Sequence, residues 1–152
     1  MKTLWLAVTF LVLFSACADK NAFEKFHLSA VEERGADSIL NSKIKNGKNI
    51  NGIVSAVYLN RVYPKKFTED EVFYVNFYLK NKTQPFSFIL NGQKSIDAQE
   101  LQVKNPYAFL TPLQTKWSKY YLVKFKKQND ILSFSFHNGL FSSDPLVFEK
   151  DE

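Results

Sequence analysis

From residue 38 onward the apolar positions recur at every second residue, which is the spacing of β-strands. Residues 71–80 (EVFYVNFYLK) give the clearest case. Phe73, Val75, Phe77 and Leu79 share one face, and Val72, Tyr74, Asn76 and Tyr78 share the other. The first set is oily and should point into a core; the second is amphipathic. Residues 131–137 (ILSFSFH) alternate as strictly, with Leu132, Phe134 and Phe136 inward and Ser133 and Ser135 outward. Residues 117–127 set Tyr121, Val123 and Phe125 against Tyr120, Leu122 and Lys124. Residues 50–63 (INGIVSAVYLNRVY) are apolar on both faces, as in a central strand, until Pro64 ends the run. Further strands are predicted over residues 38–45, 86–90, part of 93–103, and 146–150.

Turn signals separate these runs. Asn46-Gly47, Asn91-Gly92 and Asn138-Gly139 are dipeptides suited to tight reversals, and Gln128-Asn129-Asp130 is a further turn. Asn105-Pro106 and Thr111-Pro112 bracket an irregular segment. The rhythm predicts about seven or eight strands in a mainly β fold, a single antiparallel β-sandwich of immunoglobulin-like type, with a small barrel as the other architecture of that spacing. Ahead of it, residues 29–37 (SAVEERGAD) read as a short helix up to Gly35, and residues 18–27 read as a tether in which Phe23 and Phe26 stand three apart. The expected division is a removable segment 1–16, a tether with a short helix 17–37, and a β domain 38–152.

The amino terminus follows a different pattern. Lys2 precedes an uncharged run, residues 4–14 (LWLAVTFLVLF), followed by the small residues Ser15 and Ala16. Positive start, short apolar core and small residues before a cut are the parts of a secretory signal peptide. Its eleven residues fall short of the roughly 20 that a spanning helix needs. The only cysteine, Cys17, stands at its end, so no intramolecular disulfide can form. Phe14-Ser15-Ala16-Cys17 resembles the lipobox of bacterial lipoproteins, with Phe14 where Leu is usual and Leu13 one place earlier. The resemblance implies that the Cys17 thiol receives a diacylglycerol, that the signal is cut between Ala16 and Cys17, and that the new amino terminus is acylated as well. It also implies transfer to the outer membrane, because Ala18, rather than Asp, follows the cysteine; Asp19 comes one place later. A plain secretory signal cut elsewhere is the alternative. A buried structural cysteine does not suit the polar residues 18–21 that follow.

Without a disulfide, a hydrophobic core must carry the stability, and the 24 aromatic residues are its main material. Lys outnumbers Arg 18 to 2 and Asn occurs 12 times, a bias that A/T-rich codons produce, so the net charge of +5 is weak testimony about partners. Basic residues come as doublets, Lys65-Lys66 and Lys126-Lys127, and not as the long blocks of nucleic-acid tails. Trp117-Ser118-Lys119-Tyr120-Tyr121 interleaves aromatic and basic side chains as single-strand binders do. In an exported protein it reads better as a solvated strand face, and no nucleic-acid partner is expected.

Chemistry-bearing residues are few. His27 and His137 are the only imidazoles, and neither HExxH nor Cys-x-x-Cys occurs. SFSFH lacks the glycines of a nucleophile elbow. Glu69-Asp70-Glu71 reads as a solvated loop, and Asn81-Lys82-Thr83 is a glycosylation sequon of no consequence beside a lipobox. No catalytic, cofactor or metal residue is assigned and no enzyme is expected. The candidate interaction face is Tyr74 with Tyr78, for a protein or glycan partner, with the membrane engaged through acyl chains. The Lys/Asn/Phe-rich style also resembles small lipoproteins of the epsilonproteobacteria, some of them immunoglobulin-like. The expected function is a binding or adhesion module. The alternatives are an envelope structural or assembly accessory, and a small β-barrel lipoprotein acting as a lysozyme inhibitor or lipid carrier.

Overall fold

The computed structural model describes residues 29–81, 84–111, 114–128 and 131–150. The expected signal peptide with Ala16 and Cys17, the expected tether with His27, Lys82-Thr83 of the sequon and Asn129-Asp130 of a predicted turn lie outside the described residues. The described residues are mainly β, with ten strands: β1 (Ile39–Asn46), β2 (Asn49–Tyr58), β3 (Glu71–Leu79), β4 (Phe86–Leu90), β5 (Gln93–Lys94), β6 (Asp97–Leu101), β7 (Lys119–Phe125), β8 (Ile131–Asn138), β9 (Phe141–Ser143) and β10 (Leu146–Glu149). Helices α1 (Ala30–Asp37) and α2 (Leu59–Val62) and a 3-10 turn, Ala108–Leu110, complete it. Among the described residues no helix is long and apolar enough to cross a membrane.

Every strand pairing is antiparallel, and one hydrogen-bonded path runs β5-β4-β8-β9-β1-β2-β3-β7-β6, with β10 beside β8. The path has two limbs, β5-β4-β8 with β10 and β1-β2-β3-β7-β6. The three residues of β9 join them by strand pairing, through Asn138↔Phe141 and His137↔Ser142 on one side and Ile44↔Ser143 and Lys45↔Ser142 on the other. At that corner the sheet curls, and side chains of the two limbs meet. Phe77 reaches Phe136 at 4.6 Å between ring centroids, and Phe73 reaches both Phe134 and Phe148 at 5.3 Å. The result is a half-barrel filled with rings. Val54, Ala56, Phe73, Val75, Val123, Leu132 and Phe134 are fully buried in it, each larger side chain contributing about 1.5–3 kcal/mol.

The expected seven or eight strands is an underestimate, for two reasons. The return from the Asn91-Gly92 turn, both residues at positive φ, pairs with β4 for only two residues. The chain then crosses between limbs, Ser95 N–H donating to Phe88 O and Ile96 N–H to Lys124 O, before β6 forms on β7. One expected strand is therefore two. The other addition is β9, which ends short of Pro145, a residue with no N–H for the ladder. The long run 50–63 is also shorter as a strand than its pattern suggests. It stops at Tyr58 and coils into α2, because the Asn60 side chain takes over the local pairing. Asn60 Nδ2 donates to Phe67 O and Asp70 O, and its Oδ1 accepts from Val72 N–H.

A second layer covers part of the outer face of β2, β3 and β7. Helix α1 starts with a reciprocal cap between Ser29 and Glu32 and continues past Gly35 to Asp37. Gly35 lies against Leu110, where a Cβ would come within 2.5 Å of the Leu110 side chain and push its tip aside. Val57, Leu59, Val62, Val72, Tyr74, Tyr107, Leu110 and Tyr120 form the resulting cluster. Lys66 pins the loop above it. Its Nζ donates to Tyr107 Oη at 2.9 Å and lies 5.1–5.9 Å from the rings of Tyr63, Phe67 and Tyr107.

Candidate functional site

Strand β3 places Tyr74 and Tyr78 on the same face, but their surroundings differ. Tyr74 is fully buried under the second layer, stacked with Tyr120, and accepts from Asn105 Nδ2. It is a core residue, which corrects the expectation of an exposed Tyr74–Tyr78 pair. Tyr78 is 42% exposed, and its cross-strand neighbour Ile53 is 52% exposed. The second layer ends before it reaches them.

Trp117 completes this open region. Thr115 N–H donates to Tyr120 Oη, and Tyr120 Oη donates back to Thr115 O. Ser118 N–H donates to Thr115 Oγ1, and the two hydroxyls lie 2.9 Å apart. These bonds fasten the turn to β7 and leave the Trp117 ring 71% exposed. A hollow lies on each side of the ring. One, about 550 Å³, opens at the end of the half-barrel between Phe77, Leu79, Pro85, Phe86 and Lys119. The other, about 290 Å³, lies on the outer face among Ile53, Ser55, Asn76, Tyr78, Thr115 and Ser118. Asn76 is only 8% exposed, and its Oδ1 is buried with no hydrogen-bond partner among the described residues. Leaving a buried acceptor unpaired costs about 1–3 kcal/mol. Lys119 at the rim pairs with Glu100 at 3.2 Å, and Tyr121 Oη donates to the same carboxylate. The Tyr121 bond, ahead of Lys119, holds Glu100 below the usual carboxylate range, while burial and then Glu100 push the Tyr121 phenol up.

The remaining chemistry-bearing residues sit elsewhere. His137 is exposed on β8, its Nε2 3.2 Å from Ser135 Oγ. Among the described residues no group of three or more His, Cys, Asp or Glu side chains could hold a metal ion. Glu71 departs from the solvated run expected of Glu69-Asp70-Glu71. It opens β3 with 1% of its side chain exposed, accepting from Tyr58 Oη at 2.6 Å, Lys150 Nζ at 2.6 Å and Gln128 N–H at 3.0 Å. Burial alone would push this carboxyl up. The bonds from Lys150, Tyr58 and Gln128 outweigh it and hold Glu71 below its ordinary value. Its strand-start position gave no hint, because Lys150 arrives from the far end of the chain.

No protein-family model matches the chain, and no curated protein or solved structure matches it.

Proposed function

We propose that the protein is a non-enzymatic lipoprotein of a bacterial envelope, anchored in the outer membrane through acyl chains on Cys17, and that it binds a glycan with the face around Trp117. The anchor rests on the amino-terminal pattern. The limbs packed face to face favour a sandwich reading of immunoglobulin-like kind, with the β9 corner as the strand that passes between sheets. A lipid carrier needs an apolar cavity inside the barrel, and that space is occupied here by the rings of Phe73, Phe77, Phe134 and Phe136.

The observation that carries the binding reading is an exposed indole on a fastened turn, beside a hollow edged by the exposed Tyr78 and Ile53. A sugar ring has an apolar C–H face that lies on an aromatic plane and hydroxyls that donate to amide and hydroxyl oxygens. Trp117 supplies the plane, and Ser55, Thr115 and Ser118 at the hollow supply the polar groups. A mainly apolar hollow with a few placed polar groups is the usual composition of small-ligand sites. Trp117 is the only tryptophan after the signal peptide, so its fluorescence reports on this site alone. Titration with bacterial and host oligosaccharides should shift its emission saturably, and Trp117→Ala should abolish retention on the same glycans while leaving circular dichroism unchanged. A folded Trp117→Ala protein that binds glycan as the wild type does would remove this face from the proposal. A protein cross-linked through this face with no glycan response would replace the glycan with a protein partner.

A further inference from the structure

The exposed charges of the sheet are segregated between its two ends. The β1–β2 and β8–β9 turns, the residues that follow β3 and the turn before β7 lie together at one end, as the pairings Asn46↔Asn49, Gly52↔Leu79, Phe77↔Lys119 and Phe86↔Asn138 require. Residues 46–52, 77–81, 114–119 and 138–143 carry Lys48, Lys80, Lys116 and Lys119 and contain no Asp or Glu. Lys119 is paired with Glu100, and Lys45 close by with Asp144. Lys48, Lys80 and Lys116 are exposed and have no ion pair among the described residues. Glu69, Asp70, Asp97 and Glu149 lie toward the other end. Apolar tips interleave with these lysines: Leu140 in the β8–β9 turn is 85% exposed and Ile50 on β2 is 42% exposed. A buried amide clasp holds the tips in place. Asn138, fully buried, accepts from Asn51 Nδ2 at 2.9 Å and donates to Gln84 O at 2.8 Å, and Asn51 Oδ1 accepts from Asn81 N–H. The clasp joins the turn bearing Leu140 to the strand bearing Ile50 and to the segment after Lys80. We propose that this end of the sheet docks on an anionic phospholipid bilayer, with Leu140 and Ile50 among the head groups and Lys48, Lys80 and Lys116 against lipid phosphates. Lysine stems lie along an apolar boundary while their ammonium groups stay with the phosphates. A protein partner suits the surface less, because lysine is depleted from such interfaces and the apolar tips here stand apart instead of forming one patch. The surface goes beyond the glycan reading and uses none of the side chains assigned to that site.

Hydrogen exchange of the full chain, read by mass spectrometry, tests the proposal with two kinds of vesicle, phosphatidylcholine alone and phosphatidylcholine with phosphatidylglycerol. An acyl anchor would hold the chain to both alike, so the difference between them reports the docking surface. Amides of residues 46–49 and 138–141 are expected to exchange at least about fivefold more slowly on the anionic vesicles, the effect of one lysine held near such a surface. Raised salt should remove the slowing. Lys48→Gln/Lys80→Gln should bring the rate back to that on phosphatidylcholine, and Leu140→Ser should lose part of the slowing. Lys94→Gln/Lys126→Gln, the same charge change toward the other end of the sheet, should behave as the wild type. Thermal midpoints without lipid verify that each variant is folded. No slowing at these turns, equal slowing on both kinds of vesicle, or equal losses in the two double variants would overturn the proposal. Slowing confined to the Asn91-Gly92 turn at the other end would overturn it as well.

Discussion

The two faces of β3 present the same alternation of large side chains and end differently. The inner face, Glu71, Phe73, Val75, Phe77 and Leu79, is closed along its whole length by the opposite limb. Even its one charge is buried against a lysine. The outer face is closed only halfway: Val72 and Tyr74 lie under α2 and the 102–111 segment, and then cover stops, leaving Asn76 at the margin and Tyr78 in solvent. Burial on the inner face is a property of the sheet, since any curled sheet faces itself. On the outer face it is a property of the connections, and it ends where they end. A binding surface made in this way needs no special strand; it is what remains of an amphipathic face after the loops have crossed it.

Truncations test this contrast most severely. Phe77→Ala should cost about 3–5 kcal/mol, since a buried aromatic leaves a cavity that the opposed rings cannot refill. Tyr74→Ala should cost about 3 kcal/mol and Tyr78→Ala less than about 1 kcal/mol, all read from urea midpoints. Equal losses at Tyr74 and Tyr78 would mean that the cover extends to the end of the strand.

The buried charge gives a second, comparable test. Lys150→Met removes the main donor to Glu71 and should cost about 3 kcal/mol, because the carboxylate stays buried without its cation. A smaller effect follows from pH. The Glu71 carboxyl is depressed in the folded state, so its stabilisation is complete above the unfolded value of about 4.3 and is lost as pH falls through the lower folded value. Urea midpoints of the wild type should hold from pH 7 to about pH 5 and fall below about pH 4, and Glu71→Gln should flatten that decline. The smallest expected change is His137→Ala, within about 0.5 kcal/mol by thermal melting and without effect on glycan binding, since the ring is exposed.

The inner architecture was largely legible. Phe73, Val75, Phe77 and Leu79, Tyr121, Val123 and Phe125, and Leu132, Phe134 and Phe136 all point inward as period two requires. The Asn-Gly turns reverse the chain where they should, because positive φ is a local demand that a dipeptide can meet. What escaped depends on distant partners. Nothing in EVFYVNFYLK separates Tyr74 from Tyr78; the difference is made by Tyr107, Leu110 and Tyr120, which come some thirty or more residues later. Glu71 belongs outwardly to an acidic run and is claimed by Lys150, and β9 is held between β8 and the distant β1. The candidate site was half visible: Tyr78 was named with its exposure, and Trp117 was noticed in a string whose turn chemistry, Thr115 with Ser118, passed unread.

The pairing of β1 with β9 also orders events in time. Ile44 meets Ser143 across about one hundred residues of chain. A chain delivered amino terminus first can assemble β1, β2 and β3 early, since they are sequential hairpins. The limb that closes over Phe73 and Phe77 waits for β8 and β10, because β4 has no partner other than β5 until Ile131–Asn138 is present. Non-local contacts of this kind form slowly, after the entropy of closing long loops has been overcome. The strand order itself therefore defers closure of the core until β8 and β10 have been added, near the end of the described chain.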